Sequence, residues 1–207
     1  MNWLHRNVRP LSLVLIGLAL LPAYLRAYEL AGPSDIPTVL LGDKVIVNHA
    51  AYSLKLPYSD VGVFRTGSLS RGDFVLLRLK NHPRLKSPFF KRVIGLPGEV
   101  VEVRDNQVIV DGHKLPLKAL SAADFAWVPR NHPIGSEVQD EDGHWITFTP
   151  SKGEFRNHGP VQLRAHEYFV LGDNRDYSED SRVFGPVDEA AILGKVIAKF
   201  ATGPRVR

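Results

Sequence analysis

Residues 172–182 read Gly-Asp-Asn-Arg-Asp-Tyr-Ser-Glu-Asp-Ser-Arg, eleven residues with a single apolar side chain. They follow Glu167-Tyr168-Phe169-Val170-Leu171, a short apolar run that reads as a buried strand. A chain seldom sets so many hydrogen-bonding groups beside a core strand unless they hold one another, or some other residue, in a fixed geometry. Gly, Asp, Asn and Ser are also the ordinary formers of solvated turns, so this segment alone leaves both readings open.

Working outward, the signals are almost entirely β. Lys44-Val45-Ile46-Val47, Phe74-Val75-Leu76-Leu77 and residues 89–94 are short apolar or alternating runs bounded by Gly, Pro and Asp. Val101-Glu102-Val103 and Val108-Ile109-Val110 flank residues 104–107 as a hairpin that buries one face. Trp145-Ile146-Thr147-Phe148, residues 168–171 and residues 194–200 supply later strands, and Asp188 is placed to cap one helical turn through Ala190 and Ala191. No strand–helix alternation appears, which argues against a parallel α/β sheet. The expected fold is mainly β: an antiparallel core over residues 29–207, with a small cap inserted at about 113–165.

Composition bounds the function. At 207 residues and 44% hydrophobic, the chain can bury one sizeable core. The absence of cysteine excludes disulfides, thiol catalysis and cysteine-ligated zinc. A net charge of +4 comes from scattered basic residues without aromatic interleaving, so no nucleic-acid partner is expected. The inserted region holds His113, His132, His144 and His158, none at metal-ligand spacing, which reads as solvated loop histidines. Neither a metal nor a cofactor is expected.

The N-terminus differs from the rest. Residues 10–25 carry no charge and lie between Arg9 and Arg26. At about 1.5 Å per residue this helix spans only about 25 Å, short of a roughly 30 Å hydrocarbon core unless both arginines snorkel to the interfaces. Trp3, Tyr24 and Tyr28 stand where interfacial aromatics help. No small-x-small cleavage site follows closely, so the segment is expected to be an uncleaved single-pass anchor within residues 1–28. Arg6 and Arg9 before it, against Arg26 just after, place the N-terminus in the cytoplasm and the remaining chain outside.

Four blocks occur in a telling order: Gly32-Pro33-Ser34-Asp35-Ile36-Pro37-Thr38 with Gly42-Asp43, then Arg71-Gly72-Asp73, then residues 89–99 (FFKRVIGLPGE), then residues 172–182. Together they resemble the type I signal peptidases, membrane-anchored serine proteases with a lysine base, over about residues 34–187. The resemblance implies Ser34 as nucleophile and Lys91 as general base. It implies Ser178 as a hydroxyl bonded to the lysine, Asp180 and Arg182 as a supporting ion pair, and Gly172 and Asp173 as further supports. By the same resemblance the chain is a monomer in the bacterial inner membrane, with lipid and the signal peptides of exported preproteins as partners. A dedicated processing peptidase, for instance of a conjugative pilin, and a catalytically dead β binding domain are the alternatives.

The residues themselves suit that chemistry. Pro33 and Pro37 bracket Ser34 and restrict its backbone. A lysine acts as a base only when neutral; strand alternation puts Phe89, Lys91 and Val93 on one face, and loss of water on an apolar face disfavours the ammonium. The alternative is an edge strand from which Lys91 snorkels to solvent. The N–H of Ser34 is the expected oxyanion donor. Two departures from the family pattern stand out: Gly32 replaces a Ser or Thr that adds a second donor, and Asp35 replaces the usual methionine. A carboxylate facing Lys91 would favour the ammonium and oppose catalysis, so Asp35 is expected to point away.

Overall fold

The computed structural model describes residues 21–201 apart from 58, 60, 81, 84, 86, 122, 127, 129–136, 142 and 150–154. Most of the expected anchor, and His132, lie outside the described residues. Residues 21–24 are helical, and no helix among the described residues is long and apolar enough to cross a membrane. The chain enters the sheet already at Leu25, four residues before the boundary that hydropathy suggests.

The principal sheet has seven strands in the order β1 (Leu25–Glu29), β2 (Lys44–Asn48), β16 (Ile192–Phe200), β5 (Phe74–Leu77), β6 (Phe89–Gly95), β14 (Glu167–Leu171) and β15 (Val187–Asp188). Every pairing in it is antiparallel. A four-stranded sheet follows the order β13 (His158–Gln162), β7 (Val100–Arg104), β8 (Gln107–Val110) and β9 (His113–Lys114). A three-stranded sheet comprises β10 (Leu117–Ala119), β11 (Glu137–Glu141) and β12 (His144–Phe148), and β3 (Ser53–Lys55) pairs with β4 (Gly62–Arg65).

The central strands read as continuous apolar runs because both of their faces are covered. On β5, Val75 and Leu77 pack into a core with Tyr52, Val93 and Val170, while Phe74 and Leu76 pack into another with Val45, Val47 and Phe90. On β14, Phe169 and Leu171 turn instead to the four-stranded sheet, meeting Ile94, Val101 and Val108. The β7–β8 hairpin closes through Asp105 and Asn106, both at positive φ, the geometry a tight two-residue turn demands. Asp188 caps the short 3-10 turn Glu189–Ala191 by accepting from the Ala190 N–H, as expected.

The region 113–165 is tied into this frame rather than resting on it. Its strand β13 pairs with β7, and Thr147 on β12 forms a bridge with Asn174 and donates its N–H to the Asp173 carbonyl at 2.9 Å. Two histidines expected in solvated loops sit elsewhere. His144 is largely buried on β12, and His158 on β13 packs its ring 5.7 Å from that of Phe169, because strand alternation turns both side chains toward the core.

Candidate active site

Lys91 lies in the middle of β6, paired with Val75 on β5, and is 2% exposed. It stays inside because β6 is flanked by β5 and β14 and leaves no edge from which to snorkel. Its Nζ sits 5.3 Å from the Phe89 ring centroid and donates to the Phe90 carbonyl at 2.7 Å. Its other contact is the Oγ of Ser34, at 2.9 Å. Residues far apart in the chain thus converge on one hydroxyl.

Ser34 is carried by a 3-10 turn, Pro33–Asp35, with Pro at its start and the Ile36 N–H closing back on the Pro33 carbonyl. The polar block holds this turn from behind. Asn174 donates its backbone N–H to the Ser34 carbonyl at 2.9 Å and its side-chain amide to the Pro33 carbonyl at 3.1 Å. Gly172 leaves room for this approach: a Cβ there would fall 2.5 Å from the Ser34 carbonyl oxygen.

The block itself is inside the protein, with Asp173, Asn174, Arg175, Ser178, Asp180, Ser181 and Arg182 all buried. That resolves the open reading of residues 172–182 in favour of a braced structure. Asp180 receives Arg182 Nε at 2.9 Å, Arg182 Nη2 at 2.8 Å and the Gly172 N–H at 3.0 Å. Burial pushes its carboxyl up, but the Arg182 guanidinium overrides this and the net displacement is below the usual range. Arg182 also donates to the Arg175 carbonyl at 2.7 Å, and Arg175 in turn forms a buried fork with Glu141. Ser178 is buried near Gly172, but Lys91 Nζ donates to Ser34 and to the Phe90 carbonyl and not to Ser178, so the bond to Lys91 implied by resemblance is not formed.

Asp173 makes the second support. Arg92, adjacent to Lys91 and facing the other side of β6, donates to its two oxygens at 2.8 and 2.6 Å, and Thr38 donates to it at 2.5 Å. Burial raises this carboxyl as well, and Arg92 more than compensates, leaving it lowered. The Nε2 of His144 stands 3.5 Å from Glu141 and 3.9 Å from Asp173. Arg92 and Thr38 lie inside the motif blocks yet were given no role by sequence, since only the fold reveals that alternation aims Arg92 at Asp173. Glu141 had no local signal at all, because its partner is Arg175 on a distant segment.

Asp35 corrects the expectation from sequence. It does not point away: its side chain is 3% exposed, and its Oδ2 accepts the Ser34 hydroxyl proton at 2.8 Å, on the same oxygen that Lys91 contacts. The reason is local. A 3-10 turn rotates successive side chains by about 120°, so neighbours remain close where an extended segment would send them to opposite faces. Burial pushes the Asp35 carboxyl up to about 6, with Asp173 adding to the rise while Lys91, the Ser34 hydrogen bond and Arg92 oppose it.

A cleft of about 400 Å³ opens on Ser34, lined by Leu30, Ala31, Gly32, Asp35, Pro88 and Phe89 among others. A larger depression of about 540 Å³ lies around Tyr52, His49 and Glu189 and does not include Ser34 or Lys91. The smaller cleft is the one that reaches Ser34. Gly32 at its rim has φ −121° and ψ 156°, with nothing within 4 Å of where a Cβ would stand. No group of acidic or histidine residues suited to a metal occurs among the described residues.

A family model described as signal peptidase, peptidase S26, matches residues 3–201. Signal peptidase I of Pseudomonas fluorescens is 30% identical over 191 residues, covering 86% of this chain and 65% of that protein. Signal peptidase IB of Staphylococcus aureus strain COL is 31% identical over 176 residues, covering 84% and 76%. A crystal structure of a signal peptidase I from Enterococcus faecalis V583 is 32% identical, covers 63% of this chain and 97% of that one, and gives a TM-score of 0.37, an overlay too loose to argue from. The chain belongs to the signal peptidase family, peptidase S26, whose members are serine protease hydrolases.

Proposed function

We propose that this protein is a membrane-anchored endopeptidase that removes N-terminal signal peptides from exported preproteins, with Ser34 as nucleophile and Lys91 as general base. The observation that carries the reading is the 2.9 Å contact between Ser34 Oγ and the Nζ of a lysine that is itself only 2% exposed. Neutral Lys91 takes the Ser34 proton as Oγ attacks the scissile carbonyl, and the resulting ammonium returns it to the leaving amine. The Ser34 N–H faces the developing oxyanion. Water then hydrolyses the acyl-enzyme, with Lys91 again as base.

Family membership and the apolar cleft support a substrate presented in extended form, with small side chains before the scissile bond. The uncharged run at residues 10–25 supports an anchor, with residues 29–207 as the extracytoplasmic domain and residues 113–165 as its insertion. A site eight residues beyond Arg26 then works just outside the bilayer, where the end of a translocated signal peptide emerges.

Purified protein incubated with a preprotein whose signal sequence ends in alanine should yield a product whose mass corresponds to cleavage after that alanine. Protease added to spheroplasts should degrade the domain. An intact preprotein, or a domain protected from protease, contradicts the reading.

A further inference from the structure

We propose that Asp35 is the internal proton acceptor that converts Lys91 from ammonium to free base, with the Ser34 hydroxyl as the relay between them. The inference rests on the assignment of Ser34 and Lys91 above and adds a third working residue to it. One oxygen, Ser34 Oγ, stands 2.9 Å from Lys91 Nζ and 2.8 Å from Asp35 Oδ2, so the three groups form a continuous hydrogen-bonded chain. Both ends of the chain are buried, Lys91 at 2% and Asp35 at 3% exposure.

A hydroxyl has one proton to give. As drawn in the structure it goes to Asp35, which leaves Lys91 as the donor to Ser34 and to the Phe90 carbonyl. That arrangement suits an ammonium and a carboxylate, and it is unproductive for attack, because the nucleophile's proton points at the wrong acceptor. A concerted transfer corrects it. The Lys91 N–H bond breaks as an O–H bond forms on Ser34, and Ser34's original O–H bond breaks as a new one forms on Asp35 Oδ2. Ser34 ends unchanged, the ammonium becomes an amine, the carboxylate becomes a carboxylic acid, and no proton enters or leaves the site. Asp35 then donates to Ser34, Ser34 donates to the Lys91 lone pair, and Lys91 keeps a hydrogen for Phe90 O.

Burial of both groups narrows the gap between the resting ion pair and the neutral pair. The second oxygen of Asp35, Oδ1, is buried without a hydrogen-bond partner, so its anion is poorly compensated. The charges facing Asp35 from the packed elements are Lys91 and Arg92 on β6 and Asp173 after β14. Arg92 is committed to Asp173 through two bonds, which leaves Lys91 as the charge Asp35 can cancel. Burial is the main cause of the carboxyl's rise to about 6, against the opposing pull of Lys91.

Without the acceptor, Lys91 must lose its proton to solvent. Preprotein cleavage should therefore be followed from pH 5 to pH 10 for the parent, Asp35→Asn, Asp35→Met and Ser34→Ala, with thermal melts confirming fold. Asparagine is close in shape to the neutral acid, and methionine supplies an independent apolar replacement. The relay predicts that both Asp35 variants lose about tenfold or more at pH 7 and recover toward the parent rate on the alkaline side, so that the rising limb of the profile moves up by about one pH unit or more. A profile that overlays the parent, or a higher rate at pH 7, overturns the relay and makes Asp35 a bystander or a brake. Cleavage by Ser34→Ala would instead remove the underlying site assignment, a separate outcome in the same assay.

Discussion

The main-chain N–H of Asn174 donates to the carbonyl oxygen of Ser34 at 2.9 Å, so the polar block after β14 grips the nucleophile's own peptide unit. Gly172 permits that approach. Gly172→Ala would push a methyl against the Ser34 carbonyl and the Ser178 side chain. Overpacking of this kind costs about 1–3 kcal/mol, and displacement of a nucleophile by about 1 Å costs on the order of a hundredfold in rate. Cleavage assays with urea melts check both, and parent-like turnover would show that the grip does not position Ser34.

Arg182→Ala removes the guanidinium that offsets the burial of Asp180. Breaking a buried pair in this way costs about 3–5 kcal/mol, which for a chain of this size lowers Tm by roughly 6–20 °C. The Arg175 carbonyl loses a donor as well, so activity should fall together with stability. An unchanged melting temperature would refute the bracing role.

The pH dependence of stability separates Asp35 from its neighbours. Its carboxyl has an ordinary value of 3.8 and stands near 6 when folded, so between these values the native state binds more protons than the unfolded chain. Stability should then decline as pH rises from about 4 to about 6, by about 3 kcal/mol. Asp173 and Asp180 act with the opposite sign: held low by Arg92 and Arg182, they stabilise above the ordinary carboxylate range and lose that contribution as pH falls through their folded values. Urea melts should find Asp35→Asn level with the parent near pH 4 and about 3 kcal/mol more stable at pH 7. A difference that stays constant across that range would mean Asp35 is not a strained carboxyl.

Gly32 offers a gain of function. Its φ is one any residue adopts, and a Cβ meets nothing within 4 Å, so Gly32→Ser is accommodated. Removing an oxyanion donor costs roughly 10²–10³ in kcat elsewhere, and introducing one at the cleft rim should raise kcat by about tenfold with little change in KM. A rate unchanged or lowered, with the fold intact, would show that the hydroxyl does not reach the oxyanion.

Much of the fold could be read from residues because the central strands announce themselves: Phe74-Val75-Leu76-Leu77 and Tyr168-Phe169-Val170-Leu171 are apolar throughout and are covered on both faces. The meeting of Ser34 with Lys91 came from motif resemblance, since no local pattern links segments so far apart. Long-range polar pairing was illegible for the same reason. Glu141 and Arg175 carry no mark of their partnership, and Arg92 looks like a surface charge until β6 is placed between two neighbours. Asp35 escapes the sequence because the expectation that it points away rests on electrostatics alone, whereas the 3-10 turn Pro33–Asp35 keeps its carboxylate beside the Ser34 hydroxyl.

The most direct test is the turnover of a preprotein by Ser34→Ala and by Lys91→Met, each shown by circular dichroism and thermal melting to keep the β fold. Nucleophile and base act as one unit, so each variant alone, and the two combined, should fall to the same residual rate, at least about 10⁴-fold below the parent. Near-parent turnover in either folded variant would contradict the assignment of Ser34 and Lys91.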